Sequence, residues 1–327
     1  MSSKHSEKSS EGEIIKRIEE HKRKILEAHE LNREKALVIR ELRFPHGRAD
    51  IIIYGLLEDL YVVPIGVEVK TSIKSGTELY YYIDQIRETY EYAFPIIYLA
   101  TKKLADDKRK TMHSYLNEIG YGLIEITQED IEILKAKPKK TPKSEYDYCE
   151  VVSKGLLYLA TAEILEEKGF RDVMKVTSTW IGTNTSISFC SFTRGNYAVF
   201  GVYARGLDNV KKLLDFLLSK ESLVEKLSKI GYKVYIESCL VMRGILGYVR
   251  HIDESLSMDT VKAISNIIEK RRKLTLAKGW GLGLGVYRPL WEHFFMPTYS
   301  TALRAIEKAI EELVDFYDLI KPLPTQT

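Results

Sequence analysis

In the short run Gly66-Val67-Glu68-Val69-Lys70, a carboxylate and an amine stand two residues apart among apolar neighbours. Side chains alternate across an extended strand, so residues two apart share a face. Glu68 and Lys70 therefore point one way, while Val67 and Val69 pack into a core on the other. A strand this apolar belongs inside a sheet, where an unpaired carboxylate or ammonium is costly. Both become tolerable if they face a cleft and share a cation. Asp50 lies on the preceding apolar run, Arg48-Ala49-Asp50-Ile51-Ile52-Ile53-Tyr54-Gly55. If the two runs pair as a hairpin, Asp50 comes within reach of Glu68, and two carboxylates held together repel unless a divalent metal neutralises them. Hard oxygen ligands with open positions suit Mg2+, with Mn2+ able to substitute. Such a site can cleave a phosphodiester: the metal activates a water and stabilises charge on the phosphate, and a nearby lysine orients or deprotonates that water. Asp50 and Glu68 are expected as metal ligands, the backbone carbonyl of Val69 as a third, and Lys70 as the group that positions the nucleophile. The competing local reading is a structural Glu68–Lys70 ion pair, because Glu-x-Lys is a common pattern.

Periodicity predicts the elements that hold these residues. Over residues 13–33, Ile14, Ile15, Ile18, Ile25, Leu26 and His29 recur at helical spacing among charges, which reads as one amphipathic helix. Residues 1–12 are polar and expected to be disordered. Strands are predicted at 36–42, 48–55 and 61–70, with a turn at Phe44-Pro45-His46-Gly47. A helix over 76–92 carries Leu79, Ile83, Ile86, Tyr90 and Ala93 on one face. A strand over 94–100, a helix over 106–119 and a strand over 121–127 follow. The order α-β-β-β-α-β-α-β implies an α/β domain over 13–135, a mixed sheet flanked by helices.

Residues 135–143 hold five lysines and two prolines, which predicts a linker over 136–147. It reads as a solvated tether, or alternatively as a strap that meets phosphates through Lys139 and Lys140. Residues 148–327 read as a second, α+β domain for substrate selection or homodimerisation. Helices are expected at 151–168, 207–230, 258–273 and 301–319, and strands at 173–181, 185–192, 197–204, 232–240, 243–251 and 278–288. Thr193-Arg194-Gly195-Asn196 is a hairpin turn. The start of this half repeats α-β-β-β-α-β, as a degenerate duplication would, without an acidic pair at the matching strands.

Arg48-Ala49-Asp50 and Glu68-Val69-Lys70-Thr71-Ser72, with 17 residues between Asp50 and Glu68, resemble the PD-(D/E)XK nuclease superfamily, the restriction-endonuclease-like fold. The resemblance covers residues 11–135 and includes the element order. Gly120-Tyr121-Gly122-Leu123-Ile124-Glu125-Ile126 is similar to the final strand of archaeal members. RecB-like members add a Gln and a Tyr on the helix after the Lys strand; Gln85 matches and is implied as a catalytic residue, while Tyr90 falls five residues on instead of four. An acidic residue on the first helix sometimes completes the family's site, and Glu27 and Glu30 are both available. The resemblance implies Mg2+-dependent hydrolysis of DNA, with Asp50, Glu68 and Lys70 in the roles already given. A non-cleaving DNA-binding or assembly protein that kept the fold, and an RNA-processing nuclease, are the alternatives.

Composition bounds these readings without selecting among them. Net charge is only +3 over 327 residues. Residues 1–150 hold 25 Lys+Arg against 27 Asp+Glu, leaving 24 against 19 for the rest, so the second half is the better electrostatic footprint. No apolar run reaches the ~20 residues of a membrane helix, and no apolar signal core opens the chain, so a cytoplasmic protein is expected. Cys149, Cys190 and Cys239 lack metal-site spacing and read as buried thiols. Scarce Gln with abundant Lys, Glu, Ile and Tyr points to a thermophilic prokaryote or archaeal virus. Of the remaining signals, Gly279, Gly281, Gly283 and Gly285 alternate along a strand and predict close helix packing. Lys270-Arg271-Arg272-Lys273 reads as a solvated helix end, and His46 as a plain loop residue. Arg48 is as suited to a phosphate as to a neighbouring acid. Tyr80, Tyr81 and Tyr82 read as packing residues, with base stacking as the alternative, Tyr82 being nearest the site.

Overall fold

The computed structural model describes residues 3–139, 141–242, 245–248, 252–271 and 281–320. Side chains of residues 3–10, 107, 237–242, 245–248, 252, 270–271 and 281 are outside that description. Lys140, the Cys239 thiol, much of the strand predicted over 243–251, the cations of Lys270–Lys273 and Gly279 therefore lie outside the described residues. The chain divides into two compact units. One comprises Met1–Leu159, Val176–Thr179 and His293–Ser300; the other comprises Ala160–Lys175, Trp180–Glu292 and Thr301–Thr327.

The first unit opens with α1 (Ser3–Glu20) and α2 (Lys22–Ala28). Helix therefore begins ten residues before the predicted start at Glu13, and residues 3–12 are helical where disorder was expected. It also ends earlier: Glu30 takes a left-handed φ of 59° and turns the chain into β1 (Asn32–Phe44). Strands β2 (Gly47–Leu57) and β3 (Tyr61–Val69) complete an antiparallel meander. After α3 (Gly76–Thr89), β4 (Ile96–Lys102), α4 (Asp106–Ile119) and β5 (Gly122–Ile126) extend the sheet in parallel. A short antiparallel β6 (Ile131–Leu134), absent from the sequence reading, closes it in the order β1-β2-β3-β4-β5-β6.

Alternation sorts the two faces of this sheet. Ile51, Ile53, Ile65, Val67 and Val69 join Ile14, Ile18, Ile25 and Leu26 of α1 and α2 in one core. Each such side chain contributes about 1.5–3 kcal/mol when fully buried. On the other face, Tyr90 and Phe94 cover Gly66, and Tyr54 donates from its hydroxyl to the Val151 carbonyl of α5 (Glu145–Glu167) at 3.1 Å.

The lysine-rich segment is laid against this unit instead of hanging free as a solvated tether. Lys137 N–H donates to Gly120 O, Lys139 N–H to Pro95 O and Lys143 N–H to Glu91 O, while Ala136 is buried. The ammonium groups of Lys139 and Lys143 both reach Glu91. Burial pushes the Glu91 carboxyl up, but hydrogen bonds from Lys139, Tyr121 and Lys143 outweigh it and bring the group down to about 2. The boundary between units falls inside α5, not in this segment.

The second unit carries an eight-stranded sheet ordered β12-β11-β14-β10-β9-β8-β7, with β13 also on β11. Its strands are β7 (Met174–Val176), β8 (Trp180–Thr183), β9 (Ile187–Arg194), β10 (Tyr197–Arg205), β11 (Lys233–Met242), β12 (Ile245–Tyr248), β13 (Ile252–Ser255) and β14 (Gly281–Glu292). The predicted turn closes β9 onto β10, with Arg194 opposite Tyr197. Helices α6 (Leu207–Ser219), α7 (Glu221–Lys229), α8 (Met258–Arg271), α9 (Tyr299–Glu312) and α10 (Tyr317–Ile320) complete the unit. The 207–230 helix expected as one piece breaks at Lys220 (φ −127°, ψ 57°). The described pairings of β8 to β14 are antiparallel, unlike the parallel β3-β4-β5 of the first sheet, so the repeated element order is not a structural duplication. The glycine strand also packs differently from expectation. A Cβ at Gly283 would lie 2.2 Å from the Tyr203 hydroxyl, and one at Gly285 2.2 Å from the Tyr235 ring, so tyrosines of neighbouring strands fill the space assigned to a helix.

Gly66 is tightly covered beneath the functional face. A Cβ there would lie 2.7 Å from Tyr90 and 2.8 Å from Phe94. Gly66→Ala is expected to destabilise the protein by about 1–3 kcal/mol through overpacking. Urea unfolding measures this, and an unchanged midpoint would count against the packing described.

Candidate active site

The β2–β3 register sets Ile51 opposite Val67, so one step further along it Asp50 stands level with Glu68. Both belong to the face away from the α1/α2 core. At this end the ladder is closed by a side chain: Asp50 Oδ2 accepts from the Val69 N–H at 2.9 Å. The next N–H, of Lys70, donates to Ala100 O at 2.9 Å and ties the site to β4. Glu68 is only 3 % exposed, and its Oε1 accepts from Lys70 Nζ at 2.5 Å. The Lys70 ammonium also lies 4.8 Å from the centre of the Tyr82 ring, and the Tyr82 hydroxyl donates to Glu78 at 2.8 Å.

Helix α3 forms the facing wall. Ser75 caps it by accepting from the Glu78 N–H at 3.2 Å. Tyr82, Gln85 and Thr89 follow at helical spacing and line the same polar cleft as Asp50, Glu68 and Lys70. Arg48 and Val69 line it too, and its volume is about 540 Å³. The Arg48 guanidinium reaches Glu41 at 3.4 Å and Asp50 at 3.8 Å, so it partners acids on both sides.

Glu11, Thr89 and Tyr90 were not assigned a part in this site by the sequence. Glu11 of α1 lines the cleft, whereas Glu27 pairs with Arg33 at 2.6 Å and Glu30 occupies the turn after α2. The helical period running back from Ile14 and Ile18 was the signal for Glu11, hidden by reading residues 1–12 as disordered. Tyr90, buried at the end of α3, accepts from the Asp50 N–H at 2.9 Å and donates to the Val67 carbonyl at 3.2 Å. One hydroxyl thus joins β2 to β3 at the level of the acids, which makes Tyr90 a positioning residue. Lys139, by contrast, is absent from the cleft: its ammonium lies on Glu91 and 4.7 Å from the Tyr121 ring.

Electrostatics single out Asp50. Burial, then the charge of Glu68, push its carboxyl up to about 7; the Val69 N–H and Lys70 oppose this less strongly. The Glu11 charge adds to the upward push. Asp50 resists ionising beside the Glu68 charge, and the two carboxyls form an all-oxygen donor set whose repulsion a divalent cation would relieve. Among the described residues no three His, Cys, Asp or Glu side chains converge as a ready-made cage. The carboxylate pair with a backbone carbonyl is therefore the donor set on offer, and hard oxygens of this kind fit Mg2+.

No protein-family model matches this chain, and no curated protein matches it in sequence.

The raised Asp50 carboxyl has a consequence for stability. Its folded form titrates near 7 and the ordinary value is 3.8, so between these the folded state holds a proton that the unfolded state has lost. The group's contribution is complete below 3.8 and is lost as pH rises through about 7. In chelator, Asp50→Asn is expected to remove part of the fall in Tm between pH 4 and pH 8, its advantage over wild type growing with pH. Parallel melting curves at every pH would contradict this. Tyr90→Phe strips partners from two backbone groups and is expected to cost about 1–3 kcal/mol, read by chemical unfolding; a smaller loss would deny the hydroxyl its bridging role.

Proposed function

We propose that this chain is a metal-dependent nuclease of the restriction-endonuclease-like kind that hydrolyses DNA phosphodiester bonds. The observation that carries the reading is the half-buried Asp50 beside the buried Glu68, with the Lys70 amine on Glu68 and all three residues lining one polar cleft. Asp50 and Glu68 would hold Mg2+, with the Val69 carbonyl as a further donor. When bound, the ion supplies a Lewis acid at the phosphate and lowers the pKa of a water.

The chain's own residues account for the rest. The Lys70 ammonium, fixed between Glu68 and the Tyr82 ring, offers N–H donors to the attacking water and to an oxygen of the phosphate. Gln85, exposed on the α3 wall, can direct its amide at the same water. Arg48 places a cation beside Asp50, where it offsets the charge of an incoming phosphate. Asp50 and Glu68 are carried by strands, not loops, so their separation is set by the sheet.

A labelled duplex, a single strand and a branched DNA incubated with the protein and Mg2+ test the reading. Cleavage is expected with Mg2+ and none in EDTA. Asp50→Asn and Glu68→Gln should abolish it, and Lys70→Met should lower the rate about 10²–10⁴-fold. DNA binding without cleavage under any divalent ion would favour a non-cleaving assembly protein, and cleavage confined to a parallel RNA would favour RNA processing. A rate unaffected by EDTA or by Asp50→Asn would remove the proposed site.

A further inference from the structure

The tip of the β1–β2 hairpin carries two groups, Arg43 and His46, that the cleft chemistry does not use, beside Arg48, which it does. Register places Arg43 directly opposite Arg48 and Phe44 opposite Gly47, so Pro45 and His46 form the turn. Like charges opposite each other destabilise a strand pair. Both arginines are exposed, and Arg43 makes no ion pair among the described residues. The tip is nonetheless well anchored. Leu42 and Ala49 are buried, and Phe44 meets Phe94 edge to face at 5.6 Å. A Cβ at Gly47 would lie 2.4 Å from Thr89 Cγ2, so the turn adjoins the residue that ends α3 and lines the cleft.

His46 at this turn is held from two sides. Its Nδ1 bonds the Asp147 carboxylate, and its ring stacks flat on Tyr92 with centroids 4.1 Å apart and planes at 10°. Asp147 is 0 % exposed, and its second oxygen has no hydrogen-bond partner. A carboxylate buried so incompletely satisfied is expensive. Fixing the ring is what it does here: a carboxylate behind an imidazole sets its orientation. The His46 side chain is 48 % exposed, which leaves the Nε2 edge as the part free to meet a ligand. A plain loop histidine needs no such support.

Three nitrogen groups therefore gather at this tip: Arg48, two residues from Asp50 and lining the cleft, Arg43 opposite it in the register, and His46, held by Asp147 and Tyr92, at the turn. Guanidinium groups match phosphate oxygens in shape and charge, and contacts to the phosphate backbone set the position of a strand independently of its sequence. We propose that Arg43, His46 and Arg48 form a clamp on the backbone phosphates of the DNA strand that flanks the scissile bond. The clamp rests on the nuclease reading of the cleft.

Binding to labelled DNA, followed by fluorescence anisotropy in the full-length Asp50→Asn protein over a range of salt concentrations, tests it without cleavage. Each phosphate contact contributes a factor of salt concentration to the power of about −0.9 on a duplex, or about eightfold at 0.1 M. Arg43→Gln is expected to weaken binding by that factor and to lower the log–log salt slope by about 0.9. His46→Gln and Asp147→Asn should weaken binding in the same direction, with unfolding curves showing whether Asp147→Asn folds. Arg23→Gln, an exposed arginine on α2 paired with Glu34, should change neither quantity. If wild type cleaves DNA while Arg43→Gln and His46→Gln bind with unchanged affinity and slope, the clamp is wrong and the nuclease reading stands. If wild type neither binds nor cleaves DNA, both fail together.

Discussion

Two carboxylates standing side by side, largely out of water, set the terms for everything around them. Burial and the neighbouring charge of Glu68 both push the Asp50 carboxyl up, so the two acids stand together at a cost. Nothing in the pair itself keeps it together. The hairpin does: its register brings the two residues level, and Ile51, Ile53, Val67 and Val69 lock that register by packing into the α1/α2 core. A slip of one residue would turn all four toward the cleft and both acids into the core. The strand pairing is therefore specified by the same alternation that presents the acids.

Around that hairpin, the contacts at the acid end are made by side chains where main chain would ordinarily serve. Asp50 takes the Val69 N–H, and the Tyr90 hydroxyl takes the Asp50 N–H and gives to Val67. Antiparallel ladders normally fill such positions with carbonyls. Replacing them with a carboxylate and a phenol lets the strands end in functional groups without leaving buried N–H groups orphaned. Lys70 then completes the arrangement from just beyond the strand end, its backbone tied to β4 and its amine to Glu68.

What could be read in the sequence follows from how local each signal is. The shared face of Glu68 and Lys70, and the approach of Asp50, were legible because strand alternation acts over two residues; Gln85 was implied only by the family resemblance. The α/β order of the first unit was legible from local periodicity too. Glu11 was missed because its helix begins in a polar stretch whose structure depends on packing further along, at Ile14 and Ile18. Tyr90 had been placed on the buried face of its helix, but its bonds to Asp50 and Val67 span 40 and 23 residues and leave no local trace. His46 owes its orientation to Asp147, 101 residues away. In the second unit, alternation located most strands but could not give their pairing, so an apparent repeat of element order concealed a different sheet.

Charge shows the same limit in another form. Residues 135–143 hold five lysines in nine positions, a composition that reads as a solvated tether or alternatively as a phosphate strap. Yet two of their ammonium groups converge on one half-buried carboxylate, Glu91, which holds the segment against the fold. Arg43 and Arg48 form no run and barely register in composition, but they face each other at a hairpin tip beside the cleft. What a cation can offer a ligand depends on which carboxylates already hold it, and that is a property of the folded chain. A net charge of +3 therefore says little about where a polyanion would bind. The places to look are those where the fold sets cations together and, as with Arg43 beside the acid-paired Arg48, leaves one of them without an acid among the described residues.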